Sequence, residues 1–141
     1  AGYIEEGVMP RIFRQSPLNS IWEGSGNVIC LDVLRAMARE PNSVAAFVQE
    51  IEAARGANAA LDRAIVSVKD ALAKPLVESA ARRLVETMAL ALQGAVLAKG
   101  DAAVFDGFCA TRLCDRPGFA HGALDAKIDA DAIIARAMPA L

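Results

Sequence analysis

Aromatic side chains are scarce in this chain: five phenylalanines, one tryptophan (Trp22) and one tyrosine (Tyr3) in 141 residues. That scarcity excludes strand-rich classes, whose sheets are assembled from aromatic and β-branched pairs. Long apolar runs are also missing. None reaches the ~18 residues of a membrane-crossing helix, so no membrane association is expected. No excess of basic charge exists: 15 Lys and Arg stand against 17 Asp and Glu, a net charge of -2. This excludes a global attraction to nucleic acid or to an anionic bilayer. Histidine occurs once, as His121, with no Asp or Cys at metal-ligand spacing, and no metal site is expected. The three cysteines, Cys30, Cys109 and Cys114, are odd in number and lack a CxxC spacing. They read as reduced packing thiols of a cytoplasmic protein.

What is present is alanine, within an apolar fraction of 55 %. Small apolar side chains at helical spacing suit closely packed helices. After Gly24, Val28, Leu31 and Leu34 form one stripe, with Ser25 placed to cap the helix and Pro41 to stop it. Asn42 or Ser43 then caps a second helix whose Val44, Phe47, Val48 and Ile51 repeat at i, i+3, i+4 and i+7, with Gly56 at its C-terminal end. A third helix over about 58–73 carries Leu61, Ile65, Val68 and Leu72. Pro75 suits the first turn of the longest helix, whose seam is Val77, Ala81, Leu84, Met88, Leu92 and Ala95 and which ends at Gly100. Glu78 and Arg82 are spaced for an i, i+4 pair. Asp101 caps the next helix, with Val104, Phe105, Phe108 and Leu113 inward, and the residues at 115–118, DRPG, end it. A loop at 119–128 leads to a short terminal helix. Near the start, residues 5–17 read as a loop with one helical turn, and Pro17 favours an extended Ser16. No internal repeat appears. The fold class is all-α, an antiparallel helical bundle with short connections.

Glu23 is the residue with chemical potential. It stands between Trp22 and Gly24, just ahead of a helix start. One reading is an acid that favours the positive end of the helix dipole, worth about 0.3–1 kcal/mol. The other is a general base, its pKa pushed upward by desolvation against Ile21 and Trp22. Gly24 and Gly26 allow close approach of a ligand to the backbone. Arg11 and Arg14 read as surface residues, or as partners of Glu5 or Glu6.

The stretch from Gly2 to Met37 resembles the C-terminal signature of the acyl-CoA dehydrogenases. Its elements are GY at 2–3, RIFR at 11–14, IWEGS at 21–25 and NVICLDVLR at 27–35. Trp22 in place of the usual tyrosine, CLDVLR after the Glu-Gly turn, and about a hundred further helical residues, with FCATRLCDRPG near the end, resemble the alkylation-response, AidB-like branch. The chain opens on AGYIEE without Met, and it reads as a piece of a longer protein: residues 1–40 as the end of the dehydrogenase C-terminal bundle, residues 41–141 as an additional helical segment.

The resemblance implies an oxidoreductase that binds FAD, forms homodimers or homotetramers and acts on acyl-CoA thioesters. Glu23 would remove the α-proton while the β-hydrogen leaves as hydride to the flavin, giving an enoyl-CoA. Gly24 would lie beside the substrate, and Ser25, Gly26 and Asn27 would contact FAD. The segment alone is expected to hold no FAD and to be inactive. The AidB-like branch also implies a rival role as a double-stranded-DNA-associated flavoprotein with little dehydrogenase activity. Arg35 and Arg39, one turn apart, and Arg82 with Arg83 are the residues to test for it.

Overall fold

The computed structural model describes residues 2–22, 25–114, 124 and 127–138. Among them are seven α-helices and no strand: α1 (Met9–Gln15), α2 (Gly26–Arg39), α3 (Pro41–Glu52), α4 (Ala59–Leu72), α5 (Ala81–Leu97), α6 (Ala102–Arg112) and α7 (Ala130–Ala137). The all-α bundle expected from the composition is what forms. Glu23, Gly24, His121, the 115–118 helix stop and most of the 119–128 loop lie outside the described residues.

Helix boundaries follow local chemistry. Asn58 accepts a hydrogen bond from the Ala60 N–H (2.8 Å) and so caps α4. Asp101 caps α6 through the Val104 N–H (3.1 Å), and Asp129 caps α7 through the Ala132 N–H (2.9 Å). Gly56, with φ +87°, makes the left-handed step between α3 and α4 that a side chain would resist, and its N–H bonds Asp62 (2.8 Å).

Four expectations are corrected. Ser16 is helical rather than extended (φ -58°, ψ -36°), because its hydroxyl donates to the Phe13 carbonyl (3.0 Å) and the chain runs on into a 3₁₀ turn over Ser16–Ser20. Ser25 occupies the N-cap position of α2 but makes no capping bond with its side chain. Pro41 starts α3 as well as ending α2, so Glu40 takes the cap position expected of Asn42 or Ser43; Ser43 instead donates to the Glu40 carbonyl (2.7 Å). Pro75 lies in a non-helical connector, and only a 3₁₀ turn, Glu78–Ala80, precedes α5. Glu78 is therefore off the helix that carries Arg82, and the expected helical register between them is broken.

The core is built by α3, α4, α5 and α6. Ile51, Leu61, Ile65, Val68, Leu84, Met88, Ala91, Ala95, Phe105 and Cys109 are buried together, with Leu34 and Met37 of α2 packed against them. The lack of a side chain at two glycines lets neighbours close in. An added Cβ at Gly94 would lie 2.9 Å from Leu61, and one at Gly107 would lie 3.0 Å from Ile133 of α7. The predicted inward stripe on α4 is therefore correct, while on α5 and α6 the small residues Ala91, Gly94 and Gly107 join it. The first helix behaves differently. Its residues pack mainly on the following 3₁₀ turn, Arg14 pairs with Glu5 (2.6 Å), and Tyr3, Ile12, Phe13 and Leu18 stay exposed.

Between α3 and α4, Glu52 accepts from Arg55 (2.8 Å) and from Lys69 (2.7 Å). The Arg55 hydrogen bond, followed by that of Lys69, lowers its pKa from 4.5 to about 2. A carboxylate with a depressed pKa adds stability that is fully present above its unfolded pKa and is lost as pH falls through the folded value. Replacing Glu52 by Gln should therefore lower stability at neutral pH slightly, as befits a partly exposed pair. It should also flatten the loss of stability between about pH 5 and pH 2. Urea titrations across that range check this; parallel wild-type and variant curves would contradict it.

Candidate functional site

The predicted cofactor turn begins α2. Ser25 is in an extended conformation (φ -48°, ψ 146°), and its carbonyl accepts the first helical bond from the Ile29 N–H (3.1 Å). Because the hydroxyl does not cap, the first-turn amides of α2 are not satisfied by Ser25's side chain. Ser25 and Gly26 are half-buried and Asn27 is exposed.

The tertiary fold brings one more residue to this turn. Arg82, in the first turn of α5, places Nη1 3.4 Å from Asn27 Oδ1. Its guanidinium lies against Gly26, where an added Cβ would overlap it. The two helices therefore begin at the same end of the bundle. Arg82 and Arg83 stand out in the sequence as a charged pair, but nothing there shows that Arg82 meets a turn 55 residues earlier.

The apolar shoulder expected beside Glu23 is not closed by the described residues. Ile21 is 72 % exposed and Trp22 56 %. Val28 and Ile29, on the same stretch, are also exposed. Arg35 pairs with Asp32 at 2.5 Å, so its charge is matched locally, and Arg39 is exposed in the last turn of α2, where a cation suits the helix dipole. The two arginines are not drawn together with Arg82 by any described contact.

The turn presents hydrogen-bonding groups along one edge only. Its amides can donate, Gly26 keeps the backbone approachable, and Asn27 offers a side-chain amide. It supplies no enclosure. A groove of about 760 Å³ lies elsewhere, between α4 and the connector to α5, and is lined by Val66, Ala71, Leu76, Val77 and Leu84. Cys109 is buried in the core, and burial pushes its thiol up to about 11, as befits a packing residue rather than a nucleophile. Among the described residues no group of His, Cys, Asp and Glu is arranged to hold a metal ion, and no helix is long and apolar enough to cross a membrane.

Comparison with known proteins gives this turn a context. No family model matches the chain. It is 40 % identical over 77 residues to AidB of Escherichia coli (strain K12), a protein named for acyl-CoA dehydrogenase; the match covers 55 % of this chain and 14 % of that protein. It is 33 % identical over 95 residues to acyl-CoA dehydrogenase family member 11 of Caenorhabditis elegans, covering 67 % of this chain and 15 % of the relative. The chain is a homologue of the AidB-like acyl-CoA dehydrogenases. As such a homologue it spans about a seventh of the length of these relatives. Both relatives carry the name of an oxidoreductase family.

Proposed function

We propose that this chain is the C-terminal part of an FAD-dependent acyl-CoA dehydrogenase-like flavoprotein that oxidises an acyl-CoA thioester between its α and β carbons. Residues 1–40 are read as the end of the dehydrogenase bundle and 41–141 as an additional helical segment. The observation that carries the reading is the homology to acyl-CoA dehydrogenase-named proteins in a chain where Glu23-Gly24 precedes the uncapped, glycine-bearing start of α2.

In this reading the Glu23 carboxylate accepts the α-proton. The electron pair of the α C–H bond becomes the new double bond, and the β-hydrogen departs with its pair. FAD, when bound, supplies the two-electron acceptor for that hydride. Gly24 leaves room for the thioester beside the base. Ser25, Gly26 and Asn27 bind and orient one edge of the cofactor. The exposure of Ile21 and Trp22 supports further protein covering this face, which would exclude water and raise the basicity of Glu23. The exposed Tyr3, Phe13 and Leu18 support burial in a homodimer or homotetramer.

A cofactor site buries most of its ligand, and α2 offers one wall. The purified 141-residue chain should therefore be colourless and inactive. Stoichiometric flavin absorbance in that preparation would overturn the division of the site proposed here. The full-length protein, in contrast, should copurify with FAD and be bleached by a suitable acyl-CoA.

A further inference from the structure

We propose that Arg82 is a positioning residue for the cofactor-contacting turn at Ser25–Asn27. The inference rests on the reading above and adds to it a residue from the opposite part of the sequence. Three observations converge. Arg82 Nη1 reaches Asn27 Oδ1 at 3.4 Å, across 55 residues of chain. The same guanidinium occupies the space where a side chain at position 26 would sit. Ser25 leaves the turn without a side-chain cap of its own. The first turn of α2 is thus held from outside, by the start of α5.

The geometry gives Gly26 a second purpose. Besides keeping the backbone approachable, the missing Cβ is the seat of the guanidinium. Arg82 in turn fixes which way the Asn27 carboxamide faces: with Oδ1 taken by a cation, the amide NH₂ is directed away from Arg82 and is free to donate. A planar guanidinium can lie flat on the glycine while one N–H reaches Asn27. An ammonium on a flexible stem keeps the charge without that flat contact. The additional segment thereby does more than extend the bundle, since its longest helix sets the shape of the turn that meets the cofactor. The adjacent Arg83 makes no such contact with the described residues of the turn and provides the matched control.

The test uses the full-length flavoprotein. Wild type, R82A, R82K, R83A, N27A and the N27A/R82A double variant are compared by FAD dissociation constant and by the visible absorption and circular dichroism of bound flavin. R82A should weaken FAD binding by about 3–10-fold, the scale of losing one solvent-accessible charge-assisted contact, and should alter the flavin circular dichroism. R82K should recover part of the affinity, and R83A should match wild type. Because Arg82 holds the turn partly through Asn27, removing it from N27A should cost less than removing it from wild type, so the two single effects should not sum. An R82A protein with wild-type affinity and spectrum, or additive effects in the double variant, would overturn the inference while leaving the proposed function intact. A wild-type protein that binds no flavin would overturn the proposed function and the inference with it.

Discussion

Replacing Glu23 by glutamine in the full-length protein should slow reduction of the bound flavin by acyl-CoA by about 10²–10⁴-fold, the contribution of a positioned base. Glutamine keeps the shape and hydrogen-bonding reach of the side chain but cannot accept the α-proton. The flavin should remain bound, because contact with it is assigned to Ser25, Gly26 and Asn27. The measurement is anaerobic single-turnover bleaching of the flavin absorbance, with FAD content determined in the same sample. Unchanged bleaching in Glu23→Gln would remove Glu23 as the base. Loss of flavin in that variant would instead mean that Glu23 holds the site together. Arg82→Ala makes the complementary comparison: it should act first on flavin affinity, whereas Glu23→Gln should act on the rate.

Truncating the centre of the bundle should have the largest effect on stability. Ile65 is 0 % exposed and lies in α4 between Leu61 and Val68, with α3 and α5 packed around the same core. Ile65→Ala deletes three carbons from a space that the helices can close only in part. The expected loss is about 2–5 kcal/mol, enough to lower the melting temperature of a domain this size by about 10 °C. Val66, the next residue, is 44 % exposed on the rim of the large groove. Val66→Ala should cost under about 1 kcal/mol, since little of its surface is removed from water by folding. Thermal unfolding followed by helical circular dichroism separates the two. Equal losses would mean that α4 presents a different face to the core.

Several parts of this protein are legible in its sequence. The α4 stripe Leu61, Ile65 and Val68 follows directly from 3.6-residue periodicity, because an isolated apolar stripe has to find cover. The cap Asp101 was equally clear, since a short polar side chain beside free amides is a local arrangement. Proline was less decisive. Pro17, Pro41 and Pro75 each interrupt or begin something, but the residue preceding Pro17 turned out helical because a hydroxyl-to-carbonyl bond and the following turn outweighed the steric preference. The small residues Ala91, Gly94 and Gly107 were missed as core positions, since their value lies in what they let approach, and that depends on the neighbouring helix.

The candidate site divides in the same way. The Glu-Gly turn and the residues after it are contiguous, and it is the resemblance to the acyl-CoA dehydrogenases that groups Glu23, Gly24, Ser25, Gly26 and Asn27 as one proposed site. Sequence also determined the helical class, through apolar spacing and the shortage of strand-forming side chains, and the mild net charge. Only the tertiary structure decided that Ser25 does not cap α2, that Ile21 and Trp22 remain uncovered by the described residues, and that Arg82 seats on Gly26. The physical reason is range. Caps, turns and amphipathic stripes are set by residues within about one or two helical turns, whereas the meeting of Arg82 with Asn27 depends on how α2 and α5 pack, and that is settled by the whole core at once.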